Sequence, residues 1–156
     1  MGFVPSARRQ TIVDAPVETV WELIGDVSRH PEWWPRVEDV QGDALAVGDT
    51  YRQVTRRPMR TFRTTMSIES LEDFQELRIR CVDTGTYAHF VLTPAQDGTF
   101  VDGEIGVEER GIARVLAGAF VRRWLAAALD GLRGAAASAA RAGKQPGEKS
   151  GDNSTA

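Results

Sequence analysis

Few side chains in this sequence are of the kinds that do chemistry, and their spacing narrows the choice. The chain carries two histidines, His30 and His89, far apart in sequence, and a single cysteine, Cys81. That set has neither the number nor the spacing of a zinc site and forms no internal disulfide, so no metal is expected. No serine–histidine–acid set, glycine-rich phosphate loop or framed pair of catalytic carboxylates is present. His89 and Tyr87 share one side of a strand whose other side carries Ala88, Phe90 and Leu92. The apolar set takes the inner face, which leaves His89 and Tyr87 on the solvated one. His30, beside Pro31, is expected at the surface. Arg52, Arg56, Arg57, Arg60 and Arg63 cluster on one hairpin. They are expected to be a solvated outer face paired with acids, the alternative being an anchor for a carboxylate or phosphate. Asp102, Glu104, Glu108 and Glu109 are likewise expected to face outward, the less costly direction for a carboxylate.

The elements that must position these groups follow from period. Ala7–Val13 is β-rich. Asp14-Ala15-Pro16 then opens a helix carried by Val17, Val20, Trp21, Leu23 and Ile24 and stopped at Gly25. Asp26–Trp34 reads as a short second helical segment. From Val37 to Glu109 the period is two, broken by turn signals at Gly48-Asp49, Arg57-Pro58-Met59, Glu72-Asp73-Phe74, Asp83-Thr84-Gly85 and Gln96-Asp97-Gly98. That gives six strands joined by tight turns, hence an antiparallel meander. Ile112 to about Ala142 is a long amphipathic helix, with Ala113, Ala117, Phe120, Val121, Trp124, Ala128, Leu132 and Ala135 on one face. One apolar sheet face needs a cover, and the last helix is the long one available. The predicted class is α+β in the order β-α-α-β6-α, with the sheet wrapped around the C-terminal helix. Ile112, Val115, Leu116 and Ala119 broaden the apolar surface of this helix, so a nearby loop, a ligand lid or a second subunit should cover them, making a homodimer one option.

Composition sets outer bounds. With 156 residues and a polar, Gly/Pro/Ser-rich end, one domain is expected over 7–142, between a flexible N-terminus (1–6) and a disordered tail (143–156). The net charge of −3 argues against nucleic acid as a partner. No run of about eighteen apolar residues occurs, because arginines interrupt the best candidate, so no integral membrane segment is expected. No secretory signal is visible, and a cytoplasmic location is the default.

The element order, with Asp14-Ala15-Pro16-Val17-Glu18-Thr19-Val20-Trp21 and Pro31-Glu32-Trp33-Trp34-Pro35-Arg36-Val37, resembles the START-like (helix-grip) superfamily. The branch is the polyketide cyclase/dehydrase and lipid-transport group, also called SRPBCC. The resemblance implies a deep cavity between sheet and C-terminal helix. It carries over no catalytic motif and no cofactor. The expected ligand-binding residues are Trp33, Trp34, Phe62, Met66, Ile79, Phe90, Ile105, Leu116, Phe120 and Trp124. From adjacent positions at most one tryptophan ring can point straight into the core, the other lying over the sheet edge or at an entrance; the alternative is that both cover the bottom of the core, with their indole N–H groups bonded to nearby carbonyls. Tyr51, Gln53, Tyr87 and Arg63 are candidates for orienting a ligand. Three readings stay open. One is a binding module for a small hydrophobic or aromatic, polyketide- or lipid-like molecule. The second is a cyclase or dehydratase acting on a poly-carbonyl chain. The third is a co-chaperone-like interaction module using the arginine hairpin.

Overall fold

The computed structural model describes residues 6–107 and 113–143, with side chains omitted for 113–117. Expectations for Glu108, Glu109, Ile112, both termini and the side chains of Ala113, Val115, Leu116 and Ala117 therefore fall outside the described residues. The chain runs β1 (Ser6–Val13), α1 (Val17–Ile24), a short 3-10 helix (Val27–Glu32), β2 (Val37–Gln41), β3 (Thr50–Arg57), β4 (Arg60–Glu72), β5 (Glu76–Cys81), β6 (Tyr87–Ala95), β7 (Gly98–Gly106) and α2 (Ala113–Gly143). This is the expected α+β order. All seven strands form one antiparallel sheet in the order β1-β7-β6-β5-β4-β3-β2. The first strand thus closes onto the last, and a sheet connected otherwise by hairpins curves around α2.

Alternation decides the faces. Tyr51, Gln53, Met66, Ile68, Leu77, Ile79, Cys81, Ala88, Phe90, Leu92, Val101 and Ile105 are all buried on the concave side. Residues of opposite parity, such as Arg52, Arg63 and Val91, are exposed. Helix α2 lies along β1 and β7 and touches α1. Its buried stripe is Val121, Leu125, Ala128, Leu129, Leu132 and Ala136. The sequence places Phe120 and Trp124 on the inward face, whereas the stripe is turned one residue away from them. Phe120 is 39% exposed and Trp124 half-buried. In an alanine-rich helix the apolar arc is broad, and the branched residues, which fill the narrow gap over β7, set the rotation.

Two glycines mark how close the layers come. A Cβ on Gly103 of β7 would stand 3.2 Å from Leu125 Cδ1 and 3.3 Å from Phe90 Cε1, so the helix rests directly on the sheet there. A Cβ on Gly131 would overlap the carbonyl oxygen of Trp33, while Gly134 faces open space. Gly134→Ala is expected to stabilise the protein by up to ~1 kcal/mol through helix propensity. Gly131→Ala is expected to destabilise it by about 2 kcal/mol despite the same propensity gain, because a backbone carbonyl must move. Urea denaturation of the two variants checks the opposite signs.

Candidate functional site

The concave side of the β3–β4 hairpin carries one continuous row of paired residues. Tyr51 lies opposite Met66, Gln53 opposite Thr64, Thr55 opposite Phe62 and Arg57 opposite Arg60. The row runs from the sealed interior to the hairpin tip. Tyr51 is 3% exposed and Gln53 6%, yet the Tyr51 hydroxyl and the Gln53 Oε1 have no hydrogen-bond partner. The Gln53 amide nitrogen donates to Thr55 Oγ1 at 3.4 Å, leaving its oxygen free. Burial, with Cys81 nearby, pushes the Tyr51 hydroxyl well above its usual pKa, so it stays protonated. Leaving a buried polar atom unpaired costs about 1–3 kcal/mol. Two on one row are therefore an arrangement that a guest with oxygen functions would relieve.

A run of aromatic rings links the residues before β2 to β6 and α2. Trp33 and Trp34 are both 4% exposed and stacked, with centroids 5.2 Å apart at 26°. Of the two readings of this dipeptide, the burial is that of the one in which both rings cover the core. The chain turns at Trp33 (φ −135°, ψ −26°), where a backbone N–H donates to His30, and this brings both rings to the same side. Each meets Phe90 edge-on, at 5.7 and 5.6 Å. Trp34 continues to Trp124 at 5.7 Å, and Trp124 to Phe120 at 5.8 Å. The Trp33 indole donates to the Leu23 carbonyl at 2.8 Å, whereas the buried Trp34 Nε1 has no partner.

At the open end of the row, Arg57 and Arg60 each hold a guanidinium 5.2 Å from the Phe62 ring centre. Arg57 also lies 5.8 Å from that of Phe120, so it bridges hairpin and helix. A cleft of ≈ 590 Å³ opens beside it, between residues 31–38 and the hairpin tip, lined by Trp33, Trp34, Arg36, Arg56, Arg57 and Pro58 among others. Its lining includes no residue of α2, so the cleft lies outside the layer between sheet and helix.

Of the sequence-derived ligand set, Met66, Ile79, Phe90, Ile105, Trp33 and Trp34 lie in the interior, with Phe62 half-buried on the concave side. Phe120 and Trp124 sit on the flank of α2, and the side chain of Leu116 is outside the described residues. Among the candidate orienting groups, Tyr51 and Gln53 face inward. Tyr87 and Arg63 do not. Tyr87 donates from the outer face to Glu104 at 2.6 Å, and burial together with this bond pushes its hydroxyl up to about 12. His89 is on that outer face too, 2.8 Å from Glu76, as its parity predicts.

Two expectations need correction. The five arginines are not one outward patch. Arg56 pairs with Glu38 at 3.2 Å, and Arg52 and Arg63 have no acidic partner among the described residues. Arg57 and Arg60 belong to the concave side because the pleat continues to the tip. His30 is not at the surface but fully buried, edge-on to Trp33 at 5.3 Å. Its Nε2 donates to the Ile24 carbonyl at 2.9 Å, Nδ1 has no partner, and burial lowers its pKa to about 4. A carbonyl only accepts, so the neutral tautomer carries its proton on Nε2. Among the described residues no group of three or more His, Cys, Asp or Glu could hold a metal ion. No described helix is long and apolar enough to cross a membrane.

The family model described as polyketide cyclase / dehydrase and lipid transport matches residues 5–141, nearly the whole folded part. The chain belongs to this family. Solved structures share the family fold at low identity. The Zhui aromatase/cyclase from Streptomyces sp. R1128 is 17% identical, with TM-score 0.74 over 92% of this chain and 100% of that one. The di-domain aromatase/cyclase StfQ from the steffimycin biosynthetic pathway is 18% identical, with TM-score 0.70 over 90% of this chain and 52% of that one. A protein from Thermus thermophilus is 21% identical, with TM-score 0.71 over 86% of this chain and 99% of that one. At such identities the likeness speaks for the fold alone. No curated protein matches the chain in sequence. The family description spans catalysis and carriage, so the choice between them falls to the side chains.

Proposed function

We propose that this protein binds a small, mainly apolar molecule bearing carbonyl or hydroxyl oxygens between the concave face of β3–β5 and the aromatic wall of Trp33, Trp34 and Trp124. The observation that carries this reading is the pair of buried, unpartnered polar atoms, Tyr51 OH and Gln53 Oε1, on the concave face. Apolar walls supply affinity and a few polar groups set orientation, the usual economy of small-molecule sites. Tyr51 OH can donate or accept, and Gln53 Oε1 accepts, so a ligand offering one hydroxyl and one carbonyl satisfies both. Family membership is compatible with such carriage.

Native mass spectrometry of the protein, purified without denaturant, is expected to reveal a bound small molecule. Displacement of the dye 8-anilinonaphthalene-1-sulfonate by fatty acids, sterols and hydroxyanthraquinones provides the second readout. An empty protein that none of these compounds stabilises or strips of dye would overturn the proposal.

Cyclase-type catalysis is the second reading, favoured by one observation. Tyr51 is an inward titratable group whose burial keeps it protonated. It would polarise a carbonyl of a poly-carbonyl chain as hydrogen-bond donor, and the walls would hold the chain folded. Turnover of a poly-β-carbonyl thioester lost in Tyr51→Phe separates this reading from carriage alone.

A further inference from the structure

We infer that the molecule taken up between sheet and helix is an elongated apolar acid, whose anionic end is held at the mouth by Arg57 and Arg60. The inference rests on the binding reading above and adds the charge, polarity order and length of the ligand. Pairing across the hairpin puts both arginines on the same face as Phe62, Gln53 and Tyr51. Both guanidiniums lie against Phe62, and Arg57 also against Phe120. A guanidinium held near a ring by cation–π attraction spends no N–H donor on a hydrogen bond, and those donors can grip a carboxylate bidentately. Neither cation has a carboxylate partner among the described residues; Arg52 and Arg63 share that, but on the convex face, so what sets Arg57 and Arg60 apart is their place on the concave row.

The row also acts as a ruler. A strand rises about 3.3 Å per residue, so Gln53 lies about 13 Å and Tyr51 about 20 Å inward from Arg57. The ligand then has its charge at one end, an apolar body beside Phe62 and Met66, and an oxygen function one to two nanometres away, in rough terms. A fatty-acid-length chain or a few fused rings with a terminal carboxylate meets that description. A neutral ligand would leave the two cations at the mouth unused.

The test compares dodecanoate with methyl dodecanoate, equal in apolar body and different in charge, by quenching of tryptophan fluorescence. The acid is expected to bind about tenfold tighter, with the preference shrinking as salt is raised. In R57Q/R60Q the acid-to-ester ratio should fall close to one, and in R57K/R60K part of it should return. R52Q/R63Q removes the same net charge from the convex face and should keep the full ratio. Equal binding of acid and ester by the unmodified protein, or equal loss of the ratio in both glutamine pairs, would overturn the charged-end assignment and leave the binding site standing. Failure of both probes to bind would overturn the assignment together with the binding reading.

Discussion

Between pH 7 and pH 4 the protein is expected to lose about 3 kcal/mol of folding stability through His30. The cause is burial. The ring is enclosed by Trp33 and Trp34 and donates from Nε2 to the Ile24 carbonyl. Protonation would place a second N–H on Nδ1, where no acceptor stands. Burial therefore lowers the folded-state pKa to about 4 from 6.5. In that window the unfolded chain binds the extra proton and the native state does not. Stability contributed by the neutral ring is thus fully present above about pH 6.5 and is lost as pH falls toward 4. Asp102, Glu69 and Glu32 have carboxyls held low by arginine neighbours. Their contributions disappear below the ordinary carboxylate range, at lower pH than the His30 effect. Urea unfolding at half-unit pH intervals, with His30→Gln alongside, isolates the contribution. Glutamine can still donate to Ile24 but does not titrate. His89 is common to both proteins, so a slope that persists unchanged in the variant would refute the assignment.

Removing the two unpaired polar atoms should separate binding from folding. In Tyr51→Phe/Gln53→Leu the affinity for an oxygen-bearing ligand, measured with a hydroxyanthraquinone that displaces the dye, is expected to fall about a hundredfold, or roughly 2.7 kcal/mol. The ligand-free protein should be as stable as the parent or up to ~2 kcal/mol more so, since apolar groups of similar shape replace polar atoms that have no partner. Opposite signs are the signature of polar groups kept for a ligand. If the double variant unfolds more readily than the parent, the two groups serve the fold, through water or through each other. If affinity is unmoved, the ligand lies elsewhere.

How much of this was legible in the sequence differs between elements. Strand β4 alternates Phe62, Thr64, Met66 and Ile68 with Arg63, Thr65, Ser67 and Glu69, and both its inner face and its turns follow from that. The Ala88–Phe90–Leu92 set likewise places Tyr87 and His89 outside. The same parity, carried to the end of β3, assigns Arg57 to the inner face, but a run of like charges reads as one patch unless the pleat is followed residue by residue. His30 left no such signal. It lies in a 3-10 turn containing Pro31, where there is no sheet or helix period, and its burial comes from rings and carbonyls that the turn itself brings around it. The rotation of α2 was equally hidden, because so many alanines make nearly every face of the helix passably apolar.

The sequence by itself determined the order of elements, the antiparallel meander, the long closing helix and which strand residues face inward. These are matters of period, turn chemistry and capping, each written in a few neighbouring residues. Only the tertiary structure decided that both tryptophans are interior, that α2 rests on Gly103 through Leu125 and Leu129, and that Tyr51 and Gln53 end without partners. Those outcomes depend on volumes and donors contributed by segments distant in the chain, and no local pattern records whether a polar atom will find a neighbour once the layers close.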